Sequence, residues 1–372
     1  VATSVMISLP GTEVASYAVR VRTGGLDRLG DLMAAVPACA PPRRAVVITD
    51  HTVADLYLGR VRDALRQAGY RVSSLAVASG EASKSLAVAG DLWGALAERG
   101  VGRDCVVVAL GGGVVGDLAG FVACGYQRGV PVVQVPTTLL AMVDSSVGGK
   151  VGVNLPAGKN LVGGFLQPQL VCADPAVLET LPAREWACGF AEVVKAAAVC
   201  GDDFFFWLLD HVAQLAAHDF ATVEEAIARS VVLKADVVAT DVAETADLRV
   251  CLNYGHTLGH ALEHAVGWGG LSHGHAVAEG IRFAAFAAER LRGVAPDLGE
   301  ALGGVLDALG LPPLSELPSR DRVLDAMACD KKARAGQARL VLLDDVGRWA
   351  IQPVSADQLR DLVGAWWRER GA

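Results

Sequence analysis

The chain has 372 residues, 52% hydrophobic and 20% charged, a length that points to two domains with a sizeable core. Its net charge of −8 argues against general binding to nucleic acid or to anionic membranes, while leaving room for a local basic pocket that takes a small anion. Eight cysteines, none in a C-x-x-C pair and most in apolar surroundings, read as small core residues of a reducing compartment. No charged-then-apolar leader and no apolar stretch of spanning length occurs, so the expected location is cytoplasmic.

In chain order, residues 45–49 read as a strand and 53–67 as an amphipathic helix. Residues 71–77 read as a second strand, 84–98 as a helix, 105–110 as a continuously apolar strand and 132–135 as a fourth. Apolar strands alternating with helices imply a mostly parallel sheet buried on both faces. The strand at 105–110 runs into Gly111-Gly-Gly-Val-Val-Gly-Asp117, a G-x-G-x-x-G match between strand and helix, where phosphate can approach backbone N–H groups. The usual acid about twenty residues later is missing. Asp50, at the end of the first strand, is the alternative partner for a ribose. Residues 136–160 carry Asp144, Lys150, Lys159, Asn160 and several glycines with little hydrophobic period, which suits a phosphate-binding loop.

From residue 183 to about 309 the periodicity is nearly all helical, with clear segments at 204–216 and 223–242. Five of the eight histidines fall between 256 and 275: His256, His260, His264, His273 and His275. The first three, at i, i+4 and i+8, stack along one side of a helix, and imidazole is the commonest metal ligand. Glu192 sits in an apolar helical run, Ala-Glu-Val-Val, where an unpaired carboxylate would be costly. Residues 338–343 and 348–351 predict a hairpin, and a last helix passes through Trp366 and Trp367.

Several motifs together resemble the dehydroquinate synthase family of sugar phosphate cyclases. They are Gly80-Glu-Ala-Ser-Lys84, the Gly111–Asp117 loop, Pro136–Lys150, Gly158-Lys-Asn160, Leu181-Pro-Ala-Arg184, Gly189-Phe-Ala-Glu-Val-Val-Lys195, Leu233-Lys-Ala, Arg249, Asn253-Tyr-Gly-His256 and His273-Gly. They run in order through roughly residues 45–345. The resemblance implies an α/β fold with an NAD-binding domain over residues 1–180, its sheet mostly parallel, and a mainly helical metal- and substrate-binding domain over 181–372. It implies that Glu192, His256 and His273 hold one divalent ion, zinc or cobalt. For NAD it implies Asp50, Ser79, Gly80, Glu81, Lys84, Gly113, Val114, Val115, Gly116, Asp117, Thr137, Thr138, Lys150, Lys159, Val177, Leu178, Glu179 and Thr180. Lys150, Asn160, His260 and Lys332 are matched to the substrate phosphate, and Arg128 to a neighbouring subunit's phosphate in a homodimer. Asp144, Lys195, Lys234, Arg249, Asn253 and His260 are matched to the reacting centre.

The implied chemistry is that of a carbon–oxygen lyase of the shikimate pathway. It converts 3-deoxy-arabino-heptulosonate 7-phosphate to 3-dehydroquinate and phosphate, by alcohol oxidation, phosphate elimination, reduction, ring opening and aldol closure, with NAD regenerated. Arg249 with Lys234 suits a substrate carboxylate. This favours the heptulosonate phosphate, or its amino analogue used in antibiotic biosynthesis, over carboxylate-free sugar phosphates. The cations Lys150, Lys159 and Arg249 speak against a polyol dehydrogenase of the same superfamily, and the intact charged pocket against a non-catalytic regulator. The chain departs from the family pattern at Ser79, in place of an Asp, at Val242 and Asp247 before Arg249, and at His275, in place of a glutamate.

Overall fold

The computed structural model describes residues 3–9, 16–41, 43–241, 248–267, 270–328 and 337–371. Lys332, matched to the substrate phosphate, and the departures at Val242 and Asp247 lie outside the described residues. The chain forms two compact units, 1–181 with 227–243, and 182–226 with 244–372. The single division after residue 180 therefore needs one amendment. Residues 227–243, in the helix Phe220–Thr240 and just beyond it, belong with the first unit.

The first unit is built on a seven-stranded sheet of β1 (Thr3–Ser8), β2 (Ser16–Val21), β3 (Arg44–Asp50), β4 (Arg71–Val77), β5 (Cys105–Gly111), β6 (Val132–Pro136) and β9 (Leu170–Ala173), in the order β1-β2-β9-β6-β5-β3-β4. Only the β1–β2 pair is antiparallel. Every residue of β5 is buried, as its unbroken apolar run requires of a strand covered on both faces. The helices Leu86–Glu98 and Gly113–Gly125 cover one face, burying Leu92, Leu96, Leu118 and Val122 against Val46, Ile48, Val107 and Ala109. From β3 the chain moves outward to β4 and then crosses back to β5, so the strand order reverses between β3 and β5. The crevice outside the carboxyl ends of two such strands is where open α/β sheets bind ligands. Asp50 ends β3 and Gly111 ends β5.

The expected loop at 136–160 contains more regular structure than its composition implied. A wide helical turn covers Ala141–Ser145, and β7 (Lys150–Leu155) pairs antiparallel with β8 (Gly158–Phe165). The glycines that looked like loop residues permit close backbone approach. A Cβ on Gly163 would lie 2.2 Å from the Val151 carbonyl oxygen.

The second unit packs the helices Ala183–Cys200, His256–Val266 and His273–Arg292 at its centre. The predicted hairpin forms as β10 (Ala338–Asp345) and β11 (Arg348–Val354), followed by the helix Ala356–Glu369, whose Ser355 and Gln358 complete a capping box. Glycines bring the helices together. A Cβ on Gly280 would meet the Gly255 carbonyl oxygen at 1.8 Å, and one on Gly274 would meet Cys188 Cα at 2.3 Å. Among the described residues no helix is long and apolar enough to cross a membrane.

Candidate active site

Glu192 lies in the third turn of the helix Ala183–Cys200, and its side chain is 2% exposed. Gly255, at φ 76°, reverses the backbone so that His256 opens the next helix. Ser272 caps the following helix, which His273 opens. The three side chains converge: His256 Nε2 and His273 Nε2 each stand 3.5 Å from Glu192 Oε1. Lys195, one turn on from Glu192, touches its other oxygen.

The opposite nitrogen of each ring fixes which face is presented. His256 Nδ1–H donates to the Tyr254 carbonyl at 3.0 Å, and His273 Nδ1–H donates to Glu263 Oε2 at 3.1 Å. Both Nε2 lone pairs are thereby turned toward Glu192. Both Glu192 oxygens are buried; Lys195 pairs with one, and the other faces the two Nε2 atoms. Two imidazole nitrogens converging on one buried carboxylate fit a divalent ion with nitrogen and oxygen ligands, and three protein donors leave a position for substrate. A second set, His260, Glu263 and His273, is close enough to share an ion. There, however, Glu263 is engaged as the acceptor for His273, and His260 is exposed.

Charge is arranged accordingly. Burial works against the Glu192 carboxylate, but Lys195, His256 and His273 outweigh it and hold the group well below the usual carboxylate range. Burial keeps His256 well below an ordinary imidazole, so it is neutral. Burial also opposes a proton on His273, yet its bonds to Glu192 and Glu263 push it up to about 9. That proton occupies the place a cation would take. Glu263 was not singled out in the sequence. The signal was available: it is a carboxylate in the apolar run Ala-Leu-Glu, the context that marked Glu192.

Of the other histidines, His260 faces outward beside the pair, its ring 5.2 Å from His256 and 6.0 Å from His273, and His264 is exposed. His275 is turned to Ser272, with Nδ1 2.6 Å from the hydroxyl. Arg249 is buried in this same unit, and Asn253 is half-buried in the turn before His256.

The first unit gathers the residues matched to a nucleotide around the strand ends. Asp50 caps the helix start after β3, accepting from the Val53 amide at 3.1 Å and from the Ser79 hydroxyl at 2.8 Å. Ser79 thus supports Asp50 where a second acid would repel it. Gly113 begins the helix after β5, and a Cβ on Gly112 would stand 3.0 Å from Thr138. Lys84 pairs with Asp117 at 2.5 Å. Asn154, another residue the sequence did not flag, donates to Glu81 at 2.7 Å and accepts from the Asn160 amide at 2.9 Å. Lys150 and Lys159 stand on the β7–β8 hairpin and Gly80 in the turn after β4.

Val115, Val177 and Leu178 have fully packed side chains. Val114 and Gly116 lie in the first turns of the glycine-loop helix, Thr137 is buried after β6, and Glu179 and Thr180 are exposed. Lys234 donates to Asp144 Oδ1 at 2.7 Å and to its carbonyl at 2.5 Å. Arg128 is exposed on the turn Tyr126–Arg128.

Two family profiles divide the chain at residue 188. One, described as 3-dehydroquinate synthase N-terminal, matches residues 74–188, and one described as 3-dehydroquinate synthase C-terminal matches 189–333. The chain belongs to the 3-dehydroquinate synthase family. Members named 3-dehydroquinate synthase include one from Nitrosomonas europaea, 42% identical over 90% of this chain and 89% of the relative. One from Rhodopirellula baltica is 46% identical over 86% and 84%. Among solved structures, a 2-deoxy-scyllo-inosose synthase complexed with carbaglucose-6-phosphate, NAD+ and Co2+ is 27% identical with a TM-score of 0.85, covering 97% of this chain and 99% of its own. A 2-epi-5-epi-valiolone synthase from Streptomyces hygroscopicus, with NAD+ and Zn2+ bound, is similar at 27% identity and a TM-score of 0.84, with the same coverage. Membership makes the chain an enzyme of the 3-dehydroquinate synthase type, on the sugar phosphate cyclase fold.

Proposed function

We propose that this protein converts 3-deoxy-arabino-heptulosonate 7-phosphate to 3-dehydroquinate and inorganic phosphate, using NAD and one zinc or cobalt ion. The observation that carries the site assignment is the buried convergence of Glu192 with two imidazoles whose other nitrogens are tied to Tyr254 and Glu263. When bound, the ion acidifies a substrate hydroxyl as a Lewis acid, and NAD takes up and returns a hydride.

The chain's own residues do the positioning. Asp50, held by Ser79, offers carboxylate oxygens to a ribose, and the amides at Gly113 and Val114 open a helix toward phosphate. Lys150, Asn160 and His260 would bind the substrate phosphate. Arg249 supplies the planar fork suited to a carboxylate. Asp144, oriented by Lys234, and Lys195, fixed on Glu192, would present hydrogen-bonding groups to substrate hydroxyls. Arg128 would serve the neighbouring subunit of a homodimer.

The test is to incubate the protein with the heptulosonate phosphate, zinc and substoichiometric NAD. Phosphate should be released over many turnovers per NAD, with no accumulating NADH. Stoichiometric NADH would mark a dehydrogenase instead, and a higher kcat/KM on the amino analogue would overturn the substrate assignment.

A further inference from the structure

A cavity of about 660 Å³ opens in the second unit, lined by none of the residues at the candidate metal centre. This is ample for a small organic ligand. Its apolar wall is Trp186, Phe190, Leu271 and Leu309, and its polar groups are Arg184, His218, Ser272 and His275. Among the described residues no carboxylate lines it, in a chain whose acids outnumber its Lys and Arg 41 to 33. Two nearby acids are engaged elsewhere, Asp307 with Arg282 and Asp219 with Thr222, and Glu185, beside Arg184, is not among the lining residues. Arg184 has no carboxylate partner among the described residues.

Arg184 and His275 supply the side-chain donors. The Ser272 hydroxyl, which accepts the His275 amide, faces His275 Nδ1 at 2.6 Å. With Nδ1 as the acceptor of that pair, the ring's remaining donor is Nε2–H. The amides of Ala183 and Arg184, in the first turn of an 18-residue helix, add to the same positive side. His218 occupies a position where glycine is usual. It follows the helix Asp202–Ala216 at φ 56°, with its own amide on Leu215 and the next on Gln214, the pattern of a Schellman cap. Its ring lies flat on Trp186, 3.9 Å between centroids and 9° between planes. An imidazole held there against backbone preference gives the cavity a flat aromatic wall.

We infer that this cavity is a second ligand site, separate from the metal centre, for a small organic anion with a flat apolar body. Arg184 and His275 take the anionic group, and the Trp186–His218 stack with Leu309 takes the body. The cavity's walls include the helix that carries Glu192 and the start of the helix that carries His273. A ligand would therefore sit behind both metal-bearing elements without touching either ligand.

Benzoate, with benzamide as its neutral counterpart, is the probe, titrated calorimetrically into the zinc- and NAD-loaded protein. Saturable benzoate binding is expected, with benzamide at least tenfold weaker. His275→Glu, which puts a carboxylate into the cavity, and Arg184→Gln should each weaken benzoate tenfold or more. Leu309→Trp should block it by filling the space, and Lys150→Ala, in the other unit, should leave it unchanged. Absent saturable binding, equal binding of benzamide, or benzoate binding that survives the cavity variants but is lost in Lys150→Ala would each overturn the proposal. If His275→Glu does not fold, Arg184→Gln and Leu309→Trp decide the matter alone.

Discussion

Glu263 lies seven residues after His256 on the same helix face, and it bears on the Glu192–His256–His273 site through His273. Its work is to hold one ring in one tautomer. Glu263→Gln keeps the shape and an acceptor but removes the charge, and partners of this kind are worth 10–100-fold in metal affinity. Zinc affinity of the variant, measured by competition with a chelator, should fall by about that factor, while substrate KM at saturating zinc stays near its original value. Unchanged zinc affinity would sink the positioning role. His256→Ala removes a ligand outright and should lose both bound zinc and activity; full activity in a metal-depleted His256→Ala protein would refute the ligand set. The resemblance to the family named Glu192, His256 and His273, whereas residue types alone did not point to their supports. The Tyr254 carbonyl and the Asn154 bridge between Glu81 and Asn160 depend on backbone paths that residue types do not encode.

Elements were legible where their burial was uniform. The strands β3, β4 and β5 and the long helices follow the apolar periodicity closely, because each packs one continuous face or both. The strands β1, β2 and β9 escaped notice. β1 buries one residue of six and β9 is four residues long, so neither leaves a readable pattern. Glycine had the opposite meaning in two helices of the second unit, and the difference is testable. Gly280 lies where the helix His273–Arg292 crosses the turn before His256, and a Cβ there would meet the Gly255 carbonyl oxygen at 1.8 Å. Gly280→Ala should cost about 1–3 kcal/mol or more through overpacking, seen as a lower Tm, and should also weaken zinc by displacing His256. Gly304, exposed in the helix Pro296–Ala308, would place a Cβ in open space. Gly304→Ala should stabilise by about 0.5–1 kcal/mol, since only unfolded-state freedom is lost. A Gly280→Ala protein as stable as the parent would contradict the close crossing.

At the scale of the whole chain, the change from alternating strands and helices to helices alone near residue 180 was plain. The membership of residues 227–243 in the first unit was not, since periodicity says that a helix forms and nothing about which core it joins. The two units make metal binding separable from nucleotide binding. Glu192, His256 and His273 all belong to the second unit, while of the seven tryptophans only Trp93 lies in the first. Tryptophan emission during thermal unfolding therefore reports chiefly on the unit that carries the three proposed ligands. A ligand present at a hundred times its Kd, and bound only by the folded state, adds about 2.7 kcal/mol. Zinc should accordingly raise the tryptophan-detected transition and a chelator should lower it, whereas His256→Ala should show no zinc-dependent shift. Protons compete with the ion for the imidazoles. The shift should therefore be full above the His273 value of about 9 and shrink as the pH falls below it, where the His273 proton competes with the ion. An equal zinc shift in His256→Ala, or one that grows as the pH falls, would show that the stabilising ion binds somewhere other than these three side chains.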